Sequence, residues 1–414
     1  MYYILMKYLV LLCDGMADRK IAKLGGKTPM EAAKKPMTDL LAKTALCGTV
    51  SNVPDGMVPE SDTANIAVLS YDPKIYSKGR SPLEAVSMGL TMRPDDTAYR
   101  CNVVTLSEED CDYDDRTMID HSADEITTDE ASELIKTLEE KLGTESRHFY
   151  TGVSYRHCMI WNNTPSEYEF MRPHDILGRK IRDYLPHGEA GKPFYDLMRA
   201  SWDILEDHPI NVARRARGLR PANSIWLWSP GKKPALPNFY EKWGLRGAVI
   251  SAVDLIKGIG ICAGLRSIDV EGATGNVHTN WTGKADAAID AFDNGYDFVY
   301  IHVEAPDECG HRAEIENKVL SIEKIDELIL TPVYEYLKST GEDFRIMILP
   351  DHPTPIELRT HSSEPVPFMI WCSDKKYDGV DTFTEDTCEA KKFYIPHGYD
   401  LLSNMIEKKE KNDG

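Results

Sequence analysis

Phe344-Arg345-Ile346-Met347-Ile348-Leu349 runs without a break into Pro350-Asp351-His352-Pro353, and His361 follows nine residues after His352. An apolar run of that length, stopped by proline, reads as a buried strand entering a loop. Ligand-type side chains just beyond such a strand stand where open α/β sheets place their active sites. A second apolar run, Phe298–Val303, opens in the same way into a segment carrying Asp307 and His311 (HVEAPDECGHRAE). A third, Tyr8–Cys13, ends at Asp14 in VLLCDGMAD. Asp and His at these strand ends predict one site built from several loops and holding more than one cation.

Working outward, strand-like and helical patterns alternate at both ends of the chain. The N-terminal part reads as a strand at Tyr8–Cys13, then helices at Pro29–Leu41, from Ala64 to Ser70, and at Pro82–Met88. The C-terminal part reads as a strand at Ala248–Val253, a helix at Ala285–Phe292, the strand Phe298–Val303, a helix over Ile315–Lys338, and strands Phe344–Leu349 and Phe368–Trp371. Such alternation predicts an α/β fold, with a mostly parallel sheet covered by helices on both faces. The middle is mixed, with β-like runs at Ala98–Leu106, His148–Thr151 and His157–Trp161, helices at Asp129–Leu142 and Pro193–Asp207, and a turn-rich stretch at Ser229–Phe239. It reads as a smaller α+β domain inserted between two halves of the sheet domain. The expected boundaries are 1–94 and 246–406 for the split domain, 95–245 for the insertion, and 407–414 for a frayed charged tail.

Composition narrows the function classes. The chain has 414 residues and a net charge of −19, which argues against a nucleic-acid partner. A cleft can still take a small anion where local cations reverse the field. The nine cysteines form no CxxC pair, as expected of a reducing, cytoplasmic setting. MYYILMKYLVLLC lacks a basic leader and a cleavage site, so it reads as a buried first strand rather than a signal peptide. No segment reaches the roughly 18 apolar residues of a membrane span.

Ser61-Asp62-Thr63-Ala64-Asn65 leads into the helical run ANIAVLS. The simplest role for Ser61 is a helix cap. Beside metal ligands it is also a candidate nucleophile, because a helix N-terminus favours an alkoxide or phosphate and a cation lowers a hydroxyl pKa. Hard oxygen ligands mixed with imidazoles suit Mn²⁺, Zn²⁺, Mg²⁺ or Fe²⁺, and the lack of Cys in the clusters argues against a structural zinc site.

The set CDGMAD, ESDTAN, EAPDECGHRAE and PDHPTPIELRTHSSEPVPF resembles the alkaline-phosphatase superfamily, and within it the archaeal-type 2,3-bisphosphoglycerate-independent phosphoglycerate mutases. The likeness extends through GRSPLEAVSMGL (Gly79–Leu90), RCNVVTL (Arg100–Leu106), ISAVDLIKGIG (Ile250–Gly260) and GATGNVHTNWTGKADAA (Gly272–Ala288). It implies an alkaline-phosphatase-like sheet with an inserted domain, and an isomerase of glycolysis and gluconeogenesis. It also implies two divalent cations, manganese first with zinc, magnesium, iron or cobalt as alternatives, and no 2,3-bisphosphoglycerate. One cation would be held by Asp14, Ser61, Asp351 and His352, the other by Asp307, His311 and His361. Ser61 would carry the phosphoryl group and Lys284 would bind it. Arg156, Arg172, Arg217 and Arg220 are candidates for the substrate carboxylate, since Arg offers a bidentate fork. His157 and Asp175 are candidates for moving the hydroxyl proton. A homoserine-kinase-like phosphotransferase, a phosphatase or phosphopentomutase, and a non-catalytic metal protein share much of this pattern. Two nucleotide motifs fail: Leu24–Thr28 ends like a P-loop but has Ile21 at the first glycine position, and Gly258–Gly264 carries its third glycine one position late.

Overall fold

The computed structural model describes residues 6–165 and 167–406, so the tail expected at 407–414 lies outside the described residues. The strands in chain order are β1 (Lys7–Cys13), β2 (Leu46–Val50), β3 (Asp96–Leu106), β4 (Met118–Asp120), β5 (Arg147–Val153), β6 (Arg156–Asn162), β7 (Ser224–Lys232), β8 (Gly247–Ile250), β9 (Arg266–Ile268), β10 (Phe298–Val303), β11 (Phe344–Leu349), β12 (Val366–Cys372) and β13 (Tyr394–Ile395). Eight of them form one sheet in the order β13-β2-β12-β11-β1-β10-β8-β9. Within it β12 runs antiparallel to both neighbours, and the other pairings are parallel.

β1, β10 and β11 are buried at every position, as a sheet covered on both faces requires. Alternate residues serve opposite faces. Leu9, Leu11, Val299, Ile301, Ala248 and Ile250 share one core cluster with Ala285 and Ala288 of the helix Trp281–Asp293. On the other face the helix Asp254–Cys262 lies so close to Val249 that a Cβ on Gly260 would come within 2.4 Å of its side chain.

The chain divides into two compact units, one made of the residues up to Ser77 together with those from Ala235, the other of Lys78–Pro234. The second unit is built on β3, which pairs antiparallel with β4, β6 and β7, with helices Thr128–Leu142 and Gly188–Leu205 packed on that sheet. Its limits differ from the expected 95–245. At the start, the helix Ser81–Ser87 belongs with the second unit, because Glu84 pairs with Arg100 of β3. At the end, Phe239 packs on Phe298 with ring centroids 4.6 Å apart, which returns the chain to the first unit before residue 245. β7 occupies Ser224–Lys232, where a turn had been expected from Ser229 on. The helix expected over Pro29–Leu41 is two short ones, Pro29–Ala32 and Pro36–Ala42, because Pro36 starts a new helix at its N1 position. The long helix expected over Ile315–Lys338 runs on to Thr340 with a π turn at Asp326–Leu330, and Asp326 accepts bonds there from Met37 N, Thr38 N and Thr38 Oγ1.

A buried polar network ties the loop after β11 to the turn after β1. Lys318, fully buried, donates to Asp18 Oδ2 at 2.7 Å and to the Thr354 carbonyl at 2.8 Å. Asp18 accepts the Ile356 N–H, and its own N–H donates to Glu385 Oε1. Replacing Lys318→Met leaves Asp18 buried without its cation. The expected loss of unfolding free energy is about 3–5 kcal/mol, and the double variant Asp18→Asn/Lys318→Met loses less than the single one; urea denaturation midpoints check both. Burial pushes the Glu385 carboxyl up to about 7. Its folded pKa therefore lies above its unfolded value, so the stability it contributes is present in acid and is lost as the pH rises toward 7. Glu385→Gln should flatten the stability-versus-pH curve between roughly pH 4.5 and 7, read from melting temperatures across that range.

Candidate metal centre

Parallel pairing brings the predicted residues together. β1 lies between β10 and β11, with Leu12 opposite both His302 and Leu349. Asp14, Asp307 and Asp351, which follow these three strands, therefore meet at one edge of the sheet. Two triads result, Asp14 with Asp351 and His352, and Asp307 with His311 and His361, each offering ligand atoms within 4.8 Å of one another.

The second triad has a tautomer fixed by the backbone. His311 Nδ1 lies 3.1 Å from the Arg359 carbonyl, and His361 Nδ1 lies 2.7 Å from the Pro59 carbonyl. A carbonyl only accepts, so each Nδ1 carries a hydrogen, which leaves Nε2 of each ring as the atom that gives a lone pair to a cation once it is unprotonated. Those two Nε2 atoms face each other at 3.0 Å, with the Asp307 carboxylate 3.2 and 3.3 Å away. Lone pairs converge in this way on a shared cation, and backbone carbonyls behind the distal nitrogens are the usual support for histidine ligands. Contact with Asp307 holds the His311 imidazole up at about 9, against the opposing effect of burial, so a cation binding there displaces the Nε2 proton. Burial would raise Asp307 too, but its bonds with His311 and His361 outweigh that and hold it well below the usual carboxylate range.

In the first triad Asp14 is almost wholly buried, and its Oδ1 has no hydrogen-bond partner. Burial, and then the charge of Asp351, push its carboxyl well above the ordinary range. A desolvated acid with an orphaned oxygen and an acidic neighbour needs a positive charge. His352 Nε2 stands 3.4 Å from Asp351 Oδ2 and 3.2 Å from Ser61 Oγ. Ser61 is the first residue of the helix Ser61–Val68, and Glu60 holds the cap position, so the serine hydroxyl is not used as a cap. The donor sets of both triads fit divalent cations.

Supporting residues came to light only in three dimensions. His302 lies inside β10, where its Nε2 meets Asp14 Oδ2 at 2.9 Å and its Nδ1 meets Ser251 Oγ at 3.1 Å. Burial pushes its pKa down to about 3, so it is a neutral donor to Asp14. Asn65 donates to the Ser61 carbonyl at 2.8 Å and to Asp351 Oδ2 at 3.0 Å, and accepts the Tyr300 hydroxyl at 2.6 Å. Thr354 donates its hydroxyl to Asp307. A lone His inside an apolar strand was the one signal for His302, and nothing local marked Asn65 or Thr354. Lys284 is buried on its helix and donates to the His302 carbonyl at 3.0 Å, with its pKa lowered by burial to about 8.

The candidates in the second unit fare differently. Arg156 and Arg172 are exposed and make no ion pair among the described residues, and Arg156 lies over the Tyr155 ring at 5.6 Å. Arg217 is paired with Glu130, and Arg220 with Asp120 and Asp124. Asp175 is exposed, 3.7 Å from His174. His157 is not brought to a surface: it is buried in β6, its Nδ1 accepts the Gly152 N–H, and burial pushes its pKa down to about 3. His121, which had not been singled out, packs against both Tyr155 and His174.

Asn65→Ala should strand the Tyr300 hydroxyl and one oxygen of Asp351. The expected destabilisation is about 1–3 kcal/mol, against about 1 kcal/mol for Tyr300→Phe. Equilibrium denaturation of the two variants side by side reads the difference.

The model of the family described as 2,3-bisphosphoglycerate-independent phosphoglycerate mutase matches residues 42–211. A Methanosarcina mazei protein of that name is 46% identical over 405 residues, covering 97% of this chain and all of its own length. A solved cofactor-independent phosphoglycerate mutase from Thermoplasma acidophilum has a TM-score of 0.68 at 26% identity, over 97% of this chain and 99% of its own. A solved Pyrococcus horikoshii protein reaches a TM-score of 0.82 at 26% identity, over 99% of this chain and all of its own. With close to half of its residues identical to such a relative from end to end, the chain belongs to the 2,3-bisphosphoglycerate-independent phosphoglycerate mutase family.

Proposed function

We propose that this chain interconverts 3-phosphoglycerate and 2-phosphoglycerate without 2,3-bisphosphoglycerate, passing the phosphoryl group through Ser61. The observation that carries the reading is the uncapped Ser61 hydroxyl, 3.2 Å from His352 and next to the Asp14–Asp351–His352 triad. Asp14, Asp351, His352 and Ser61 would hold one divalent cation, and Asp307, His311 and His361 the other, with manganese the first choice. Bound there, such cations lower the hydroxyl pKa and offset phosphoryl charge.

The residues themselves account for the remaining steps. Ser61 Oγ attacks phosphorus, the bond from phosphorus to the 3-oxygen breaks, and the glycerate oxygen ends with the proton that the serine lost. The N-terminal end of the helix Ser61–Val68 favours the negative charge of the phosphoserine. Glycerate then turns, its 2-hydroxyl attacks the phosphoserine, and Ser61 regains a proton. Lys284 has two N–H donors left beyond its bond to His302, which suits it to the phosphoryl oxygens. Arg156 and Arg172, which make no ion pair among the described residues, are the carboxylate binders we assign. Arg217 and Arg220 are engaged by acids and are not assigned. Asp175 rather than the buried His157 is the group available to a hydroxyl proton. Water must be kept from the phosphoserine, since hydrolysis would turn the mutase into a phosphatase.

Protein loaded with Mn²⁺ is expected to turn over 3-phosphoglycerate in an enolase-coupled assay with neither ATP nor 2,3-bisphosphoglycerate, and to lose that activity in excess chelator. Ser61→Ala should lower kcat by more than about a thousandfold, and an acid quench of the unmodified enzyme should leave phosphate on Ser61 by mass spectrometry. Turnover of homoserine with ATP alone, or a strict need for 2,3-bisphosphoglycerate, would refute the assignment.

A further inference from the structure

Glu304 follows β10 directly and precedes the helix Ala305–Arg312. Its carboxylate joins Asp14 and Asp307 in a third group whose ligand atoms lie within 4.8 Å of one another. Asp14 belongs to one triad and Asp307 to the other, so this third group connects the two. Among the described residues no side-chain hydrogen bond or close ion pair reaches the Glu304 carboxylate, although the charge of Lys284 acts on it. Asp14 points to the same need from a second direction. Its Oδ2 is occupied by His302, while Oδ1, in a residue only 1% exposed, has no hydrogen-bond partner and faces His352 Nε2 at 3.7 Å.

The backbone fixes Glu304 in that position. Gly275, in the loop before the helix Trp281–Asp293, lies so close that a Cβ there would sit 2.0 Å from Glu304 Oε2. The absence of a side chain at 275 is what leaves room for the carboxylate. Charge supplies a further argument. Asp14, Glu304, Asp307 and Asp351 together carry four negative charges when ionised, which two divalent cations match. Without the cations, like charges this close in a desolvated site repel strongly.

We propose that Glu304 is a cation ligand shared between the two triads, so that its loss weakens occupancy of the metal pair rather than the fold. This rests on the two-cation reading of the site, and the experiment separates the two ideas. Chelator-stripped wild type, Glu304→Gln and Gly275→Ala are titrated with Mn²⁺ by calorimetry, bound metal is counted by mass spectrometry, and each protein is melted with and without Mn²⁺. Glu304→Gln should bind Mn²⁺ at least tenfold more weakly or hold one equivalent fewer. Stripped of metal it should melt no lower than wild type, because a repelling charge has gone, and added Mn²⁺ should raise its melting temperature less. Gly275→Ala should fall between the two, since the new methyl displaces the flexible carboxylate. Unchanged stoichiometry and affinity within twofold in Glu304→Gln overturns the proposal, as does an equal drop in melting temperature with and without metal. A wild type that takes up no divalent cation overturns the metal reading itself, and the proposal with it.

Discussion

The register of three parallel strands is the constraint on which everything else depends. β1 is paired on one side with β10 and on the other with β11, and Leu12 stands level with both His302 and Leu349. Because the strands run in the same direction and end together, the first turns beyond them must share one small volume. The residues occupying those turns are Asp14, Glu304, Asp307, Asp351 and His352. A slip of one residue in either pairing would move the carboxylates out of reach and send every buried side chain of the strand to the wrong face. The predominantly apolar sequences of β1, β10 and β11 make such a slip costly, so the core specifies the site.

Gathering acids in a buried pocket opposes folding, and the surrounding polar groups offset part of that cost. Asp351 receives N–H donors from Gly15, His352 and Asn65. Asp14 receives one from His302, itself held neutral by burial. Asp307 is supported by the Thr354 hydroxyl. These bonds orient the carboxylates but leave one oxygen of Asp14 and both of Glu304 without partners among the described residues. A site finished for protein contacts alone would not leave a buried oxygen such as Asp14 Oδ1 in that state. The backbone carbonyls behind His311 and His361 make the same point for the imidazoles, fixing the tautomer that a cation binds.

Of the residues proposed to hold the cations, Asp14, Asp307, Asp351 and His352 stand just beyond apolar runs, where a ligand-type side chain announces itself by breaking the pattern. The residues that hold those ligands were not legible. Asn65 reads as one more helical polar residue, and its partners Asp351 and Tyr300 lie 286 and 235 positions away. Lys318 reads as a surface lysine of a helix, yet it is fully buried against Asp18, 300 positions distant. Elements misread from the sequence failed for local reasons. Pro36 opens a second helix at a position that periodicity alone treats as continuous. Pro230 and Gly231 look like turn residues, but Gly231 lies in β7 beside the Lys78 carbonyl and Pro82, a close approach that only glycine permits. The limits of the second unit were misplaced because the helix Ser81–Ser87 precedes β3 in sequence but packs with it in space.

Ser61 illustrates why a motif needs its surroundings before it can be given chemistry. By sequence a serine ahead of an apolar helical run is a cap, and a cap hydroxyl is already bonded to the N–H of the first turn. Here the helix starts one residue earlier than a serine cap would require. Glu60 takes the cap position without a side-chain capping bond, and Ser61 becomes the first helical residue. The shift does two things together. It places the hydroxyl opposite His352, and at the positive end of the helix. An anion formed on Ser61 Oγ would therefore meet the helix N-terminus on one side and the proposed cation site on the other. Asn65 holds that arrangement by bonding the Ser61 carbonyl and Asp351 with the same amide nitrogen, so the proposed nucleophile and one of the proposed metal ligands cannot move independently.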